Sequence, residues 1–119
     1  MIVVKSDGRH QPFDRDKIIR SMQVALRKRP TDMSAIEKAA TGIVRQLESE
    51  GEQEFPAARV GEMVMKALMS LDIVGYIRFT SVYKDFRNPE DFNDFLEEVR
   101  SIQERQDRET AKKKQVAAE

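Results

Sequence analysis

The fold is decided by residues 3–20, which read VVKSDGRHQPFDRDKIIR. An Asp-Gly pair at positions 7 and 8 lies between two short extended runs and predicts a β-hairpin, because glycine takes positive φ without steric cost. Asp14 predicts a helix N-cap, since its carboxylate can accept backbone N–H groups of the first turn. The hairpin therefore meets a helix start, and this junction gathers four cations: Lys5, Arg9, Lys17 and Arg20.

Positive charge is concentrated in this part of the chain. Residues 1–30 hold eight Lys or Arg and three Asp, a local charge of +5, whereas the 119 residues together have a net charge of zero. This asymmetry favours an anionic ligand between hairpin and helix, because each charge-assisted contact to a phosphate contributes roughly 1.5–3 kcal/mol. A basic, solvated hairpin that only covers the core is an equally open alternative at this point.

Length and composition exclude several classes of protein. A chain of 119 residues predicts one domain with a modest core. The absence of cysteine excludes disulfides and thiolate zinc sites, and the single histidine, His10, is interpreted as a surface residue. No long apolar run and no secretory signal is found, which predicts a cytoplasmic protein without membrane contact. No Ser-His-Asp, Cys-His or paired-carboxylate arrangement stands out, so we expect no enzymatic activity.

Apolar residues at three- and four-residue spacing predict five helices after the hairpin. The fold class expected is mainly α with a small β-sheet (α+β): a four-helix bundle capped by a β-hairpin or three-stranded lid, plus a fifth C-terminal helix. The expected elements are helix one over 14–28, helix two from Ser34 to Gly51, an extended segment at 54–56 beside the hairpin, helix three over 57–71, helix four over 73–86 with Asp72 as its N-cap, and a fifth helix over 88–103.

The opening of the chain resembles an ATP-cone, the small nucleotide-sensing domain of ribonucleotide reductases. This domain also occurs in the NrdR family, the bacterial repressors of ribonucleotide reductase genes. The motif that carries the resemblance reads KxDGRxxPFDxxKI over residues 5–18. Residues 61–65 and 71–86 resemble the last two cone helices of the repressor family, and residues 92–99 resemble the helix that follows. The resemblance covers about residues 2–100, and it is closer to the repressor than to the reductase cones.

The resemblance implies what the chain binds. A regulatory nucleotide, ATP or dATP, with or without magnesium, would lie between lid and helices without being hydrolysed, and its identity would change the oligomeric state. The residues implied as nucleotide ligands are Val3, Lys5, Gln11, Asp14, Lys17, Ala57, Tyr76, Arg78, Tyr83 and Lys84. Arg9 and Arg20 are added on charge and spacing alone.

Two positions depart from the family pattern. Ser6 stands where the family normally has arginine, and Ala57 stands where it usually has serine or threonine. The first change removes a phosphate cation and the second removes a hydroxyl. An alternative function therefore stays open, namely a cone fold that no longer binds nucleotide and acts only as an oligomerisation module.

The repressor family also carries an N-terminal zinc ribbon with four cysteines, through which it binds DNA. The present chain starts at Met1 without one, so we expect a shortened repressor or a free-standing cone, with no zinc and with DNA contact only if a longer form supplies the ribbon. We expect residues 1–87 to form the nucleotide-binding cone. Residues 88–103 are expected to form a helix for homo-oligomer contacts, and 104–119 a charged tail that is frayed or disordered.

Overall fold

The computed structural model describes residues 1–118 and confirms the α+β class. The described residues fall into two compact units, Met1–Lys84 and the segment from Asp85 onward. No helix among them combines the length and apolar character needed to cross a bilayer. The elements are β1 (Ile2–Val4), β2 (His10–Pro12), α1 (Arg15–Ala25), α2 (Met33–Ser49), β3 (Glu54–Pro56), α3 (Ala57–Leu71), α4 (Ile73–Tyr83) and α5 (Pro89–Ala118).

The three strands form a small mixed sheet in the order β2-β1-β3. β1 pairs antiparallel with β2 through a turn in which Gly8 has φ 87°, and it pairs parallel with β3. Val3 is opposite both Gln11 and Phe55 in this register, so the three side chains share one face. Phe55 on that face is buried. The expected third strand is confirmed, and we call the sheet the lid.

The core of the first unit is formed by the apolar stripes of α1, α2 and α3. The helical spacing predicted most of its members correctly. One assignment is wrong: Val82, expected on the apolar face of α4, is 81% exposed. The main buried side chains are Ile18, Ile19, Met22, Leu26, Ile36, Ala40, Ile43, Leu47, Val64 and Leu68.

The ends of α1 and α4 differ from the sequence prediction because left-handed residues follow them. The helical part of α1 ends at Ala25 rather than at Lys28, and Lys28 has φ 61°. In the same way α4 ends at Tyr83, since Asp85 has φ 55°. Neither position is a glycine, so the residue types carried no signal for these turns.

The start of α2 also differs from the prediction. Asp32 is the N-cap, and its Oδ1 accepts a hydrogen bond from the backbone N–H of Ala35 at 2.8 Å. Ser34, which was expected to cap the helix, lies inside its first turn. Aspartate and serine are equally good caps, so spacing alone could not separate the two positions.

In the second unit, α5 continues as one helix to Ala118 instead of ending near residue 103. Its second half contains no glycine or proline and is rich in Glu, Lys, Arg, Gln and Ala, which are strong helix formers. Within this unit the ring of Phe86 lies 5.2 Å from each of the rings of Phe92 and Phe95. Glu119 lies outside the described residues, and the roles expected for 88–103 and 104–119 stay predictions.

Thr80 on α4 is fully buried, and its hydroxyl has no hydrogen-bond partner among the described residues. We expect Thr80→Val to raise the free energy of unfolding by about 1 kcal/mol, because the shape is kept and an unsatisfied polar group is removed. Urea unfolding measures the change. Thr80→Ser, which keeps the hydroxyl and loses the methyl group, is the control and should be less stable than the native chain. A Thr80→Val protein of lower stability would contradict the assignment.

Candidate functional site

A cleft of about 940 Å³ opens between the inner face of the lid and helices α1, α3 and α4. Its size is within the range of sites that bury a small organic ligand. All of its lining residues belong to the first unit. The lining comprises Val3, Lys5, Gln11, Pro12 and Phe13 from the lid and the segment after it, Asp14–Ile18 and Ser21 from the start of α1, Ala57, Val60, Gly61 and Val64 from α3, and Phe79 and Tyr83 from α4.

The lid and α1 supply two cations to this cleft, Lys5 and Lys17, which we call the cationic wall. The first turn of α1 is held by Asp14, whose Oδ1 accepts the N–H groups of Asp16 at 3.0 Å and Lys17 at 3.3 Å. Arg15 also borders the cleft, but its Nη2 donates to the Thr41 hydroxyl of α2 at 3.0 Å. The cationic wall is therefore built on a capped and anchored helix start.

The start of α3 offers backbone donors to the same cleft. Ala57 is its first residue and lines the cleft, while Pro56 at the N-cap position makes no side-chain hydrogen bond. The first N–H groups of a helix have no partner within the helix, and the helix dipole places partial positive charge there. Without a capping side chain, these groups are available to an anion.

The α4 side of the cleft is aromatic. The rings of Phe79 and Tyr83 stack with centroids 5.8 Å apart and an interplanar angle of 13°. Tyr83 lies directly over Gly61 of α3, where an added Cβ would come within 2.5 Å of the ring. Only glycine at position 61 therefore permits this ring position. We call Phe79 and Tyr83 the aromatic wall.

Cations, free helix N–H groups and stacked rings thus share one cleft. A family model described as the ATP cone domain matches residues 1–89. The chain belongs to the ATP-cone family.

This cone has relatives whose names are those of regulators. It is 55% identical over 101 residues to the transcriptional repressor NrdR of Rhodospirillum centenum, covering 85% of this chain and 66% of that protein. It is 57% identical over 96 residues to the NrdR of Caulobacter sp. strain K31, covering 81% and 61%, and 61% identical over 95 residues to that of Rhizorhabdus wittichii, covering 80% and 62%. The chain spans less than two thirds of these relatives. Their names and the cone family point to a regulatory protein rather than an enzyme.

Seven of the residues predicted to bind nucleotide line the cleft of the cone. They come from four separate segments of the chain, which the fold brings together at one place. Their contact with a nucleotide stays a prediction. The seven are Val3, Lys5, Gln11, Asp14, Lys17, Ala57 and Tyr83.

Five other predicted ligands lie outside the lining of the cleft. Arg9 pairs with Asp7 in the hairpin turn at 2.6 Å, and Arg20 is an exposed side chain 3.7 Å from the Asp14 carboxylate. Arg9 and Arg20 were predicted as ligands from their charge and spacing in the sequence alone. This information does not show that each arginine lies beside a carboxylate in the folded chain.

The remaining three belong to α4 and its end. Tyr76 is buried in the core at 8% exposure. The guanidinium of Arg78 donates to the backbone carbonyls of Ala25 and Arg27. Lys84 is the C-cap of α4. None of these three residues lines the cleft.

The sequence prediction missed Phe79 and Gly61. Phe79 lies four residues before Tyr83 on the same helix, and this spacing places both rings on one face, so the signal was present. Gly61 carried no such signal, because the need for a glycine arises only when Tyr83 packs on it from another helix. The apolar residues Val60 and Val64 were assigned to the core, and they line the cleft as well.

The helix that carries the aromatic wall is capped by Asp72, whose side chain is 7% exposed. Its Oδ1 accepts the Gly75 N–H at 3.0 Å, and Arg29 Nε lies 3.0 Å from both carboxylate oxygens. Burial by itself would raise the pKa of this carboxyl group. The hydrogen bonds from Gly75 and Arg29 and the charge of Arg29 outweigh burial and hold the pKa below the usual 3.8.

This lowered pKa gives a pH-dependent prediction. A carboxylate with a depressed folded pKa stabilises the protein above the unfolded value of 3.8, and this contribution is lost as the pH falls through the folded pKa below it. Asp72→Asn should therefore lower the free energy of unfolding by about 1 kcal/mol at neutral pH, with a difference that narrows below pH 3.8. Urea unfolding from neutral to acid pH measures it. Asp32→Asn, at the exposed cap of α2, is the matched control and should lower the free energy of unfolding by less than Asp72→Asn does. An equal loss of unfolding free energy in the two variants would contradict the prediction.

Proposed function

We propose that this cone binds ATP or dATP in the cleft between lid and helices and that the bound nucleotide regulates a transcriptional repressor. The observation that carries the proposal is that one cleft holds the cationic wall, the uncapped start of α3 and the aromatic wall. A polyphosphate needs the first two and a planar base needs the third. The ATP-cone family and the repressor relatives support a nucleotide-sensing regulatory role.

The phosphates would lie against Lys5, Lys17 and the first N–H groups of α3. Lysine ammonium groups bind phosphate as point charges, and helix N-termini bind anions through aligned N–H groups. Pro56 at the N-cap position has no side chain that can cap the helix, so these donors remain open to the ligand. Loss of the side-chain hydroxyl at position 57 is therefore compatible with phosphate binding.

Magnesium would enter together with the phosphates. Among the described residues there is no group of three or more His, Asp or Glu that could hold a metal ion. Protein sites for magnesium commonly use one or two carboxylates and complete the coordination with phosphate oxygens and water. Asp14 and Asp16 are the two carboxylates that line the cleft and would fit this role.

The base would pack against the aromatic wall. Stacking on an aromatic ring is worth about 1–3 kcal/mol per base and tolerates different bases, because every base has a π face. Val60 and Val64 add apolar surface to the same side of the cleft. Discrimination between ATP and dATP would depend on the sugar, to which Gln11 and Asp14 of the lining offer polar side chains.

We further propose that nucleotide occupancy changes how many chains assemble. The helix α5, with Phe92, Leu96 and Ile102 on its apolar stripe, is the segment we propose for contacts between copies. The relatives are named transcriptional repressors. Because a bacterial repressor acts on DNA in the cytoplasm, the proposed function implies a cytoplasmic location.

Isothermal titration calorimetry of the chain with ATP and with dATP tests the proposal. We expect binding of both nucleotides, accompanied by a change in assembly mass in light scattering. No heat and no thermal shift at millimolar nucleotide would reject nucleotide binding. Binding that leaves the mass unchanged would reject the proposed effect on assembly.

The alternative of a cone that only self-associates has its own discriminating experiment. Ser6→Arg combined with Ala57→Thr restores the two family residues. If only the double variant binds nucleotide, the native chain is an oligomerisation module. If the native chain binds as well, that alternative is excluded.

A further inference from the structure

The helices α1 and α4 flank the cleft and run in opposite directions. The first turns of α1, with Lys17 and Ile18, line the cleft together with Phe79 and Tyr83 from the last turns of α4. At the other end, the last turn of α1 packs against the first turn of α4. We call this contact the closed end. The position of α4 relative to α1 therefore bears on the shape of the cleft.

Backbone packing at the closed end is close because Gly75 has no side chain. A Cβ at this position would come within 2.5 Å of Leu26 Cδ2. Leu26 is buried, so it has little room to move aside. On the same side, Arg29 in the loop after α1 donates to the Asp72 carboxylate that caps α4.

Arg78 adds a further contact at the closed end. Its Nη1 donates to the Arg27 carbonyl at 2.8 Å and to the Ala25 carbonyl at 3.2 Å. The last carbonyls of a helix have no partner within the helix, and a cation there is stabilising. α1 has no basic residue of its own in its last turn, so Arg78 supplies the cation from the neighbouring helix. It also directly precedes Phe79 of the aromatic wall.

We propose that Arg78 is a positioning residue that sets the opening of the nucleotide cleft by fixing the angle between α1 and α4, rather than a ligand of the nucleotide. This inference rests on the proposed function for its effect on binding, whereas its effect on the helix angle does not depend on a ligand. Two hydrogen bonds from one planar guanidinium fix an orientation as well as a distance. Without them, α4 can rotate about the Gly75 contact and carry Phe79 and Tyr83 away from the cationic wall.

A distance measurement in the absence of nucleotide tests the helix angle directly. The chain has no cysteine, so the double variant Arg20→Cys/Val82→Cys places spin labels at two exposed sites only, on α1 and α4 near the cleft. Double electron–electron resonance should give one narrow distance distribution. Adding Arg78→Gln should broaden or shift it, and Arg78→Lys, which keeps a cation near the carbonyls, should restore most of it. An unchanged distribution in Arg78→Gln would overturn the inference.

Affinity for two ligands separates positioning from direct contact. In the chain without labels, Arg78→Gln should weaken both ATP and adenosine about fivefold, since the coupling acts on the whole cleft. Weaker ATP binding with unchanged adenosine binding would make Arg78 a phosphate ligand and overturn the inference.

If the native chain binds neither compound, the proposed function fails, and the spin-label distances still decide the role of Arg78. If Arg78→Gln does not fold, Arg29→Gln tests the closed end from its other contact, and an unchanged label distance in that variant overturns the inference.

Discussion

Replacing Lys17 by alanine is expected to weaken ATP binding by about 1.5–3 kcal/mol, or roughly 10- to 150-fold, while the fold stays intact. Lys17 is exposed and lines the cleft from the first turn of α1. Its loss removes one of two lysines of the cationic wall, and a charge-assisted hydrogen bond to a phosphate cannot be replaced by water at equal strength. Calorimetry with ATP measures the change.

Adenosine and a distant lysine provide the controls for this variant. Adenosine has no phosphate, so its affinity should be the same for Lys17→Ala and the native chain. Lys38→Ala removes another exposed lysine, on α2 and outside the lining of the cleft, and should leave ATP binding unchanged. Equal ATP affinity of Lys17→Ala and the native chain would remove Lys17 from the site.

Phe79→Ala is expected to weaken ATP and adenosine alike, by about 1–3 kcal/mol or roughly 5- to 150-fold, because a stacking surface for the base is lost. The variant also leaves Tyr83 without the ring it stacks on. Titrations with both ligands, made on the same preparations as those of Lys17→Ala, show whether the two walls recognise different parts of the nucleotide.

Phe79→Tyr is the conservative comparison, since it keeps an aromatic ring and should bind within a factor of about two of the native chain. Urea unfolding of Phe79→Ala gives the loss of stability separately from the loss of affinity. A Phe79→Ala protein that is folded and loses ATP affinity but not adenosine affinity would show that the base does not lie on the aromatic wall.

Most of the fold could be predicted from the sequence, because local signals and tertiary structure agree. The Asp-Gly turn, the Asp14 cap and the apolar spacing gave the correct class and all five helices. The errors occur where the chain leaves a helix through Lys28 and Asp85, both in the left-handed region without being glycine. Such turns are imposed by packing between helices, and residue types do not reveal them.

The candidate site was less predictable, because it combines residues that are close only in the folded chain. Lys5 and Lys17 were identified from charge and spacing near one turn. Arg78 has the same charge and was assigned the same role, but its guanidinium faces the carbonyls at the end of α1. A sequence shows that a cation is present, whereas its hydrogen-bond partners depend on which helix end lies beside it.

The position of β1 in the middle of the lid has a consequence for how the cleft could admit a ligand. β2 is tied to β1 through a short local turn, whereas β3 runs without any loop residue into α3. The β3 edge must therefore move together with α3, whose apolar face packs in the core. β2 in turn leads into α1 through only Phe13 and Asp14. Each outer strand is therefore continuous with a helix start that lines the cleft, and a movement of the lid that admits a ligand would displace the first turns of α1 and α3 with it.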